Sequence, residues 1–212
     1  ETVLEYLTKE RGLTEETVKL YKISQKTDER GTWIVFPFLE EDGVPFLIKY
    51  LNMVRVDGKK ESYTSAKSKK ALFGQHTAEG NDRNLLICEG EIDAASWKQA
   101  LGTGYLCLSI PFGAQAKEDG HDEWIENCWP LIERFERIYL AFDGDEKGRA
   151  AREIIARRLG RERSYVVDTP EKDANATLVT RGPQALVNAL AKARTLDPSE
   201  LRNAADLYDV MN

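Results

Sequence analysis

Two short apolar runs in this chain each stop at an acidic, glycine-containing turn, and that repetition constrains the fold more than any other feature. Asn84-Leu-Leu-Ile-Cys88 runs into Glu89-Gly90-Glu91-Ile92-Asp93, and Arg137-Ile-Tyr-Leu-Ala-Phe142 runs into Asp143-Gly144-Asp145. Each run is short, is followed by a helical pattern, and reads as a strand covered on both faces, the kind found in parallel sheets. The acids then fall at the carboxyl ends of strands, the edge of an open α/β sheet where ligands collect. Carboxylates gathered there repel one another unless a hard cation neutralises them, and Mg²⁺ takes a few carboxylates together with water and phosphate oxygens. The pattern predicts a Mg²⁺-dependent phosphoryl-transfer centre.

Punctuation along the chain divides it into two units and a tail. Residues 1–80 read as a small α+β unit. Thr14 is placed to cap a helix with Glu15 and Glu16 in its first turn, and Thr32–Phe38 and Phe46–Leu51 read as antiparallel strands beside the turn signals Asp42-Gly43 and Asp57-Gly58. The polar stretch 78–83 reads as a hinge. Over residues 81–195 strands alternate with helices. Asp93–Leu101 is closed by Gly102, Tyr105–Ser109 is a strand, and Glu123–Phe135 is a helix kinked at Pro130. Lys147–Leu159 closed by Gly160, a strand Ser164–Val167 and a last helix from Pro183 complete the series. Such alternation predicts a parallel sheet with helical crossovers. Residues 196–212 are polar and read as a linker.

Composition removes several classes. No apolar stretch approaches membrane-spanning length and no secretory signal is present, so no membrane partner is expected. The three cysteines, Cys88, Cys107 and Cys128, form no Cys-x-x-Cys pair, which points to a reducing compartment and no zinc. Both histidines, His76 and His121, are expected on the surface. The net charge of −6 conceals a segregation: residues 44–76 hold seven basic side chains against two acidic ones. A cationic segment beside an acidic pocket suits an enzyme that handles triphosphates and a nucleic-acid strand.

Four stretches in order resemble a known family. Lys70-Ala-Leu-Phe-Gly74, the Glu89 turn, Asp143-Gly-Asp-Glu-Lys-Gly-Arg-Ala-Ala151 and Lys172-Asp-Ala-Asn175 are similar to the TOPRIM-domain primase half of the phage primase-helicases and their Twinkle relatives. The resemblance implies an α/β fold: a TOPRIM-type parallel sheet with flanking helices, preceded by a small α+β subdomain. It implies a DNA-dependent RNA polymerase making short primers from ribonucleoside triphosphates on single-stranded DNA. Glu89, Asp143 and Asp173 would hold Mg²⁺ or a substituting Mn²⁺, with Asp145 in or beside that set; Glu89 could instead act as general base. Glu91 would reach the metal through water, Asp93 is either a helix cap or a ligand, and Asn175 would orient Asp173. Lys49, Arg55, Lys69, Lys70, Gly113, Lys147 and Arg149 are the candidates for nucleotide and template.

Departures from the family pattern bound the reading. Neither a zinc ribbon nor a Gly-x-x-x-x-Gly-Lys-Ser/Thr phosphate loop occurs in the chain, so the zinc-ribbon and hexameric helicase modules of such proteins would be its partners in a longer polypeptide. The first residue is not methionine, consistent with a piece of something longer. Such a protein is expected in the cytoplasm of a bacterium or phage-infected cell, with a mitochondrial or plastid origin as the alternative. A TOPRIM nuclease and a non-catalytic DNA-binding domain bracing a helicase remain the alternatives.

Overall fold

A computed structural model of the chain describes residues 1–56, 59–65, 69–112 and 123–196. The expected linker from 197 onward, Gly113 and His121 lie outside the described residues.

The first unit opens with a turn of α-helix, α1 (Val3–Glu5), that continues as a π-helical stretch over Tyr6–Glu10. Thr2 and Glu5 close its start as a reciprocal capping box, each side chain taking the other's main-chain N–H. Helix α2 (Glu15–Leu20) begins at the expected cap, with the Thr14 hydroxyl accepting from the Thr17 N–H at 3.2 Å. Strands β1 (Ser24–Asp28), β2 (Gly31–Leu39), β3 (Pro45–Val56) and β4 (Lys59–Thr64) then form an antiparallel meander in chain order. Alternation along β2 sends Ile34, Phe36 and Phe38 into the core, as a period of two requires. Neither β1 nor the initial helical turns show in the hydrophobic pattern. β1 is an edge strand with a polar, exposed sequence, and the initial turns are too short for a helical period to register.

The second unit is a five-stranded sheet in the order β6-β5-β7-β8-β9. Strands β5 (Asn84–Cys88), β6 (Tyr105–Ser109), β7 (Arg137–Ala141) and β8 (Ser164–Val166) are mutually parallel. The two-residue β9 (Arg194–Thr195) pairs antiparallel with β8, so the sheet is mixed at one margin. Helices α3 (Glu91–Leu101), α7 (Ala174–Arg181) and α8 (Pro183–Ala191) pack on one face, and α4 (Glu123–Asn127), α5 (Trp129–Ile132) and α6 (Glu146–Leu159) on the other. The helix expected as Glu123–Phe135 is two pieces, interrupted at Cys128, with Pro130 near the start of α5, where a missing N–H does no harm. Helix α7 is also absent from the expectation; Asp173 caps it.

Strands β5, β6 and β7 each serve two cores. Leu86 and Cys88 of β5 face the same cluster as the first unit's Tyr21, Phe36 and Phe38, while Leu85 and Ile87 face Trp124, Ile132 and Ile155. The first unit therefore completes one face of the second. Tyr21 makes the junction specific: its buried hydroxyl donates to the carbonyl of Cys107 at 2.7 Å and lies 3.2 Å from that of Ala94. His76, expected on the surface, is half-buried edge-on to the Tyr21 ring, with a ring nitrogen 3.1 Å from the Leu20 carbonyl. Burial lowers its pKa, which keeps it neutral over a wider range.

Candidate active site

Parallel strand ends deliver the acids. β5 ends directly before Glu89, β7 ends two residues before Asp143, and β8 precedes the segment carrying Asp173. Asp145 is the N-cap of α6 and accepts from the Gly148 N–H at 2.8 Å; Asp173 is the N-cap of α7 and accepts from the Ala176 N–H at 2.6 Å. Both carboxylates are thus held by helix N-termini, whose exposed donors and dipole favour an anion. Gly148 is required by this arrangement, since a Cβ there would stand 2.1 Å from the Asp143 carbonyl oxygen. Gly90 likewise allows α3 to start tightly, because a Cβ would lie 2.7 Å from the Asp93 carboxylate.

Electrostatics show that the acids share one field. Burial first, then Glu89, Asp173 and Asp145, raises Asp143 from 3.8 to about 6. Asp93 rises from 3.8 to about 7, through burial and then the neighbouring Asp173, partly offset by a hydrogen bond from the Asn175 N–H. A pocket of about 240 Å³ opens at Asp93 and Asp173, lined also by Arg11, Glu91, Lys172 and Asn175.

Several residues sit differently from expectation. Asp93 does not cap α3: Gly90 does, and Asp93 lies in the first turn, accepting from the Asn175 N–H at 2.9 Å. Asn175 is expected to orient Asp173, but its side chain spans Arg11 and Ser96. Its Nδ2 donates to the Arg11 carbonyl at 2.8 Å and to Ser96 Oγ at 3.0 Å, and its Oδ1 accepts from the Arg11 guanidinium at 3.2 Å. Glu91 is buried and meets Lys49 at 2.7 Å, an ion pair joining β3 to α3. Lys49 therefore stands at the acidic edge, whereas Lys69 is paired with Glu40 at 2.8 Å and Lys70 with Glu123 at 3.0 Å. Arg55 falls opposite Lys60 in the β3–β4 register. Lys147 is exposed on α6, and the Arg149 guanidinium donates to the Gly144 carbonyl. Arg11 had no sequence signal, because a lone arginine in the first unit reveals nothing about a partner 164 residues away.

The donor set suits a hard cation. Among the described residues, no three His, Cys, Asp or Glu side chains already enclose a metal-sized space. The acids are instead carboxylates at the ends of neighbouring strands, oxygen donors of which Asp143 is raised by burial and then by repulsion from the others. That fits Mg²⁺, which keeps several waters and takes one or two carboxylates plus phosphate oxygens.

Fold and acid placement together define a Toprim domain, and residues 84–169 match that domain. The chain belongs to the family of Twinkle and the T7 primase-helicase, and its fold is that of primase catalytic cores. It is 30% identical over 217 residues to the Arabidopsis thaliana protein named Twinkle homolog protein, chloroplastic/mitochondrial, an alignment covering 94% of this chain and 29% of that one. The primase fragment of the bacteriophage T7 primase-helicase superposes with a TM-score of 0.73 at 26% identity, over 86% of this chain and 72% of that one. A chain from a T7 assembly, in which primase domains bound to an RNA/DNA hybrid and dTTP contact the lagging-strand polymerase, gives 0.75 at 25% identity, over 88% and 91%. The chain thus spans under a third of the length of its curated Twinkle relative. Among the described residues no helix is long and apolar enough to cross a membrane.

Proposed function

We propose that this chain is the RNA-polymerase core of a primase, joining ribonucleotides into short primers on a single-stranded DNA template. The observation that carries the reading is the coupling of Asp143 to Glu89, Asp145 and Asp173 at one sheet edge in a fold shared with a T7 primase fragment. Glu89, Asp143, Asp145 and Asp173 would hold Mg²⁺, or Mn²⁺ in its place. Bound there, the ion would neutralise charge on the transferred phosphoryl group and lower the pKa of the attacking hydroxyl.

The protein's own groups supply position. The N-terminus of α6 presents main-chain donors beside the acids, a site type that receives phosphate oxygens. Lys49, fixed by Glu91, sets a cation at the pocket, and Lys172, exposed and 3.3 Å from Asp173, can follow a triphosphate as it enters. Arg11 adds a guanidinium held by Tyr6 Oη at 2.7 Å and by Asn175. The antiparallel sheet, with Arg55, Lys69 and Lys70, would carry the template, and residues 81–195 the chemistry. The segment from 196 onward would lead to a helicase module, and a zinc ribbon elsewhere in the protein would read the initiation sequence.

The test is synthesis itself. The chain is incubated with labelled ribonucleotides, single-stranded DNA of varied sequence and Mg²⁺ or Mn²⁺, and both short RNA and template cleavage are scored. RNA that disappears in Glu89→Gln supports the proposal. Metal-dependent cleavage without nucleotides would make the chain a nuclease, and DNA binding with neither product would make it a brace.

A further inference from the structure

On the other face of the sheet from the acid pocket, α6, Gly144 in the loop after β7, the end of β8 and β9 surround a cleft of about 480 Å³. Arg149, Arg152 and Arg194 line it with Glu153 and Asp168, and Val166 and Leu196 give it an apolar wall. Arg152 is 4% exposed, a rare state for an arginine. Its guanidinium donates to Asp168 Oδ1 at 2.5 Å and to the Phe142 and Asp143 carbonyls at 2.5 and 3.2 Å, yet its buried Nε finds no acceptor.

The acids in the cleft leave the arginines under-compensated. Glu153 is turned toward Arg161, at 2.8 Å, and Asp168 is shared, its second oxygen accepting from Arg194 at 3.0 Å. Two guanidinium groups, of Arg152 and Arg194, therefore divide one carboxylate, and the third, of Arg149, rests on the Gly144 carbonyl at the same cleft. Arginine forks match the tetrahedral oxygens of phosphate, and their weak hydration makes them the usual choice for partly buried anion contacts. A cleft of this size also falls within the range of small-molecule sites, with apolar wall available to a sugar or base.

We propose that this cleft is a second phosphate-binding site, separate from the acid pocket, that takes phosphate groups with the Arg149, Arg152 and Arg194 side chains around them. The site does not depend on the polymerase reading. Its phosphate comes either from a free diphosphate, pyrophosphate or nucleotide, or from the backbone of a bound strand. Because Arg152 holds the carbonyl of Asp143 and Arg149 that of Gly144, an occupant would bear on the loop that presents the catalytic acids.

Calorimetric titration of the chain with inorganic pyrophosphate in EDTA at low salt tests this without any contribution from metal. Wild type should bind saturably at one site. Arg194→Gln, at an exposed position that leaves the fold unchanged, should weaken binding about tenfold, the loss expected for one charge-assisted hydrogen bond. Arg149→Gln should do the same, and Lys192→Gln, an equal charge change outside the cleft, should have no effect. Competition with a nucleoside diphosphate and with an oligoribonucleotide lacking a terminal phosphate separates the sources: displacement by the first alone marks a free ligand, and displacement by the second marks a strand. Absence of saturable binding, or equal losses in Arg194→Gln and Lys192→Gln, would overturn the proposal.

Discussion

Cations on the surface of the first unit stand beside acids: Lys26 by Asp28, Arg30 by Glu61 and Lys69 by Glu40. At the carboxyl edge of the five-stranded sheet, acid stands beside acid, and Asp143 and Asp93 resist ionisation through burial first and then through their acidic neighbours. A surface that balances its own charge gains little and needs nothing further, since exposed pairs contribute on the order of 0–1 kcal/mol. A cluster that repels itself is retained at the expense of stability, and the deficit is relieved only by something brought from outside. Self-opposed charge in a fold is therefore better evidence of function than abundant charge, and the comparison can be tested from either side.

The largest expected effect is that of Asp143→Asn. Primer synthesis should fall by roughly two orders of magnitude, the scale of a lost metal ligand. In EDTA the same variant should melt at a higher temperature than wild type, because the substitution removes a charge the fold disfavours. Synthesis above about a tenth of wild type would take Asp143 out of the reaction.

Next in size is Gly148→Ala. A methyl group 2.1 Å from the Asp143 carbonyl cannot be absorbed without moving the loop, and overpacking of this kind costs about 1–3 kcal/mol. Thermal or urea melts should record the loss, and an unshifted midpoint would show that the loop yields freely.

A smaller effect is a pH dependence of sign opposite to ordinary acid denaturation. Asp143 and Asp93 have folded-state pKa values of about 6 and about 7, above their 3.8 reference, so the native state binds more protons than the unfolded one between those limits. Their contribution to stability in EDTA should therefore decline as pH rises from near 4 through about 7, and saturating Mn²⁺ should abolish the decline. A melting temperature that climbs across that window in wild type and in Asp93→Asn alike would sink the idea.

The smallest change belongs to Lys69→Ala with Lys70→Ala. Two partly exposed ion pairs should account for at most about 1 kcal/mol of stability. If template follows this edge, single-strand affinity should also become less salt-sensitive, by up to about one counterion for each phosphate the lysines no longer neutralise. Unchanged binding at every salt concentration would leave these lysines as a balanced surface only.

What was legible in the chain was local. Apolar runs ended by acidic glycine turns located β5 and β7, Thr14 marked the start of α2, and Gly102 and Gly160 closed α3 and α6, because caps and strand ends are decided within a few residues. The wiring of the candidate site was not legible. Asp93 is satisfied by Asn175, 82 residues later, Glu91 by Lys49, and Asn175 by Arg11, and no periodicity encodes such pairings. Elements without an apolar stripe were also silent: β1 is polar because it lies at a margin, and β9 is two residues long.

The Tyr21 hydroxyl bears on how the chain acquires its shape during synthesis. Its acceptors at Ala94 and Cys107 are made long after the ring itself, so the meander of residues 24–64 leaves the ribosome with Phe36 and Phe38 facing a partner not yet translated. At about 5–20 residues per second, that apolar surface stays uncovered for seconds. The half that appears first is thus the half that must wait, and a pause in translation before residue 107 would be the moment at which a nascent chain most needs a chaperone.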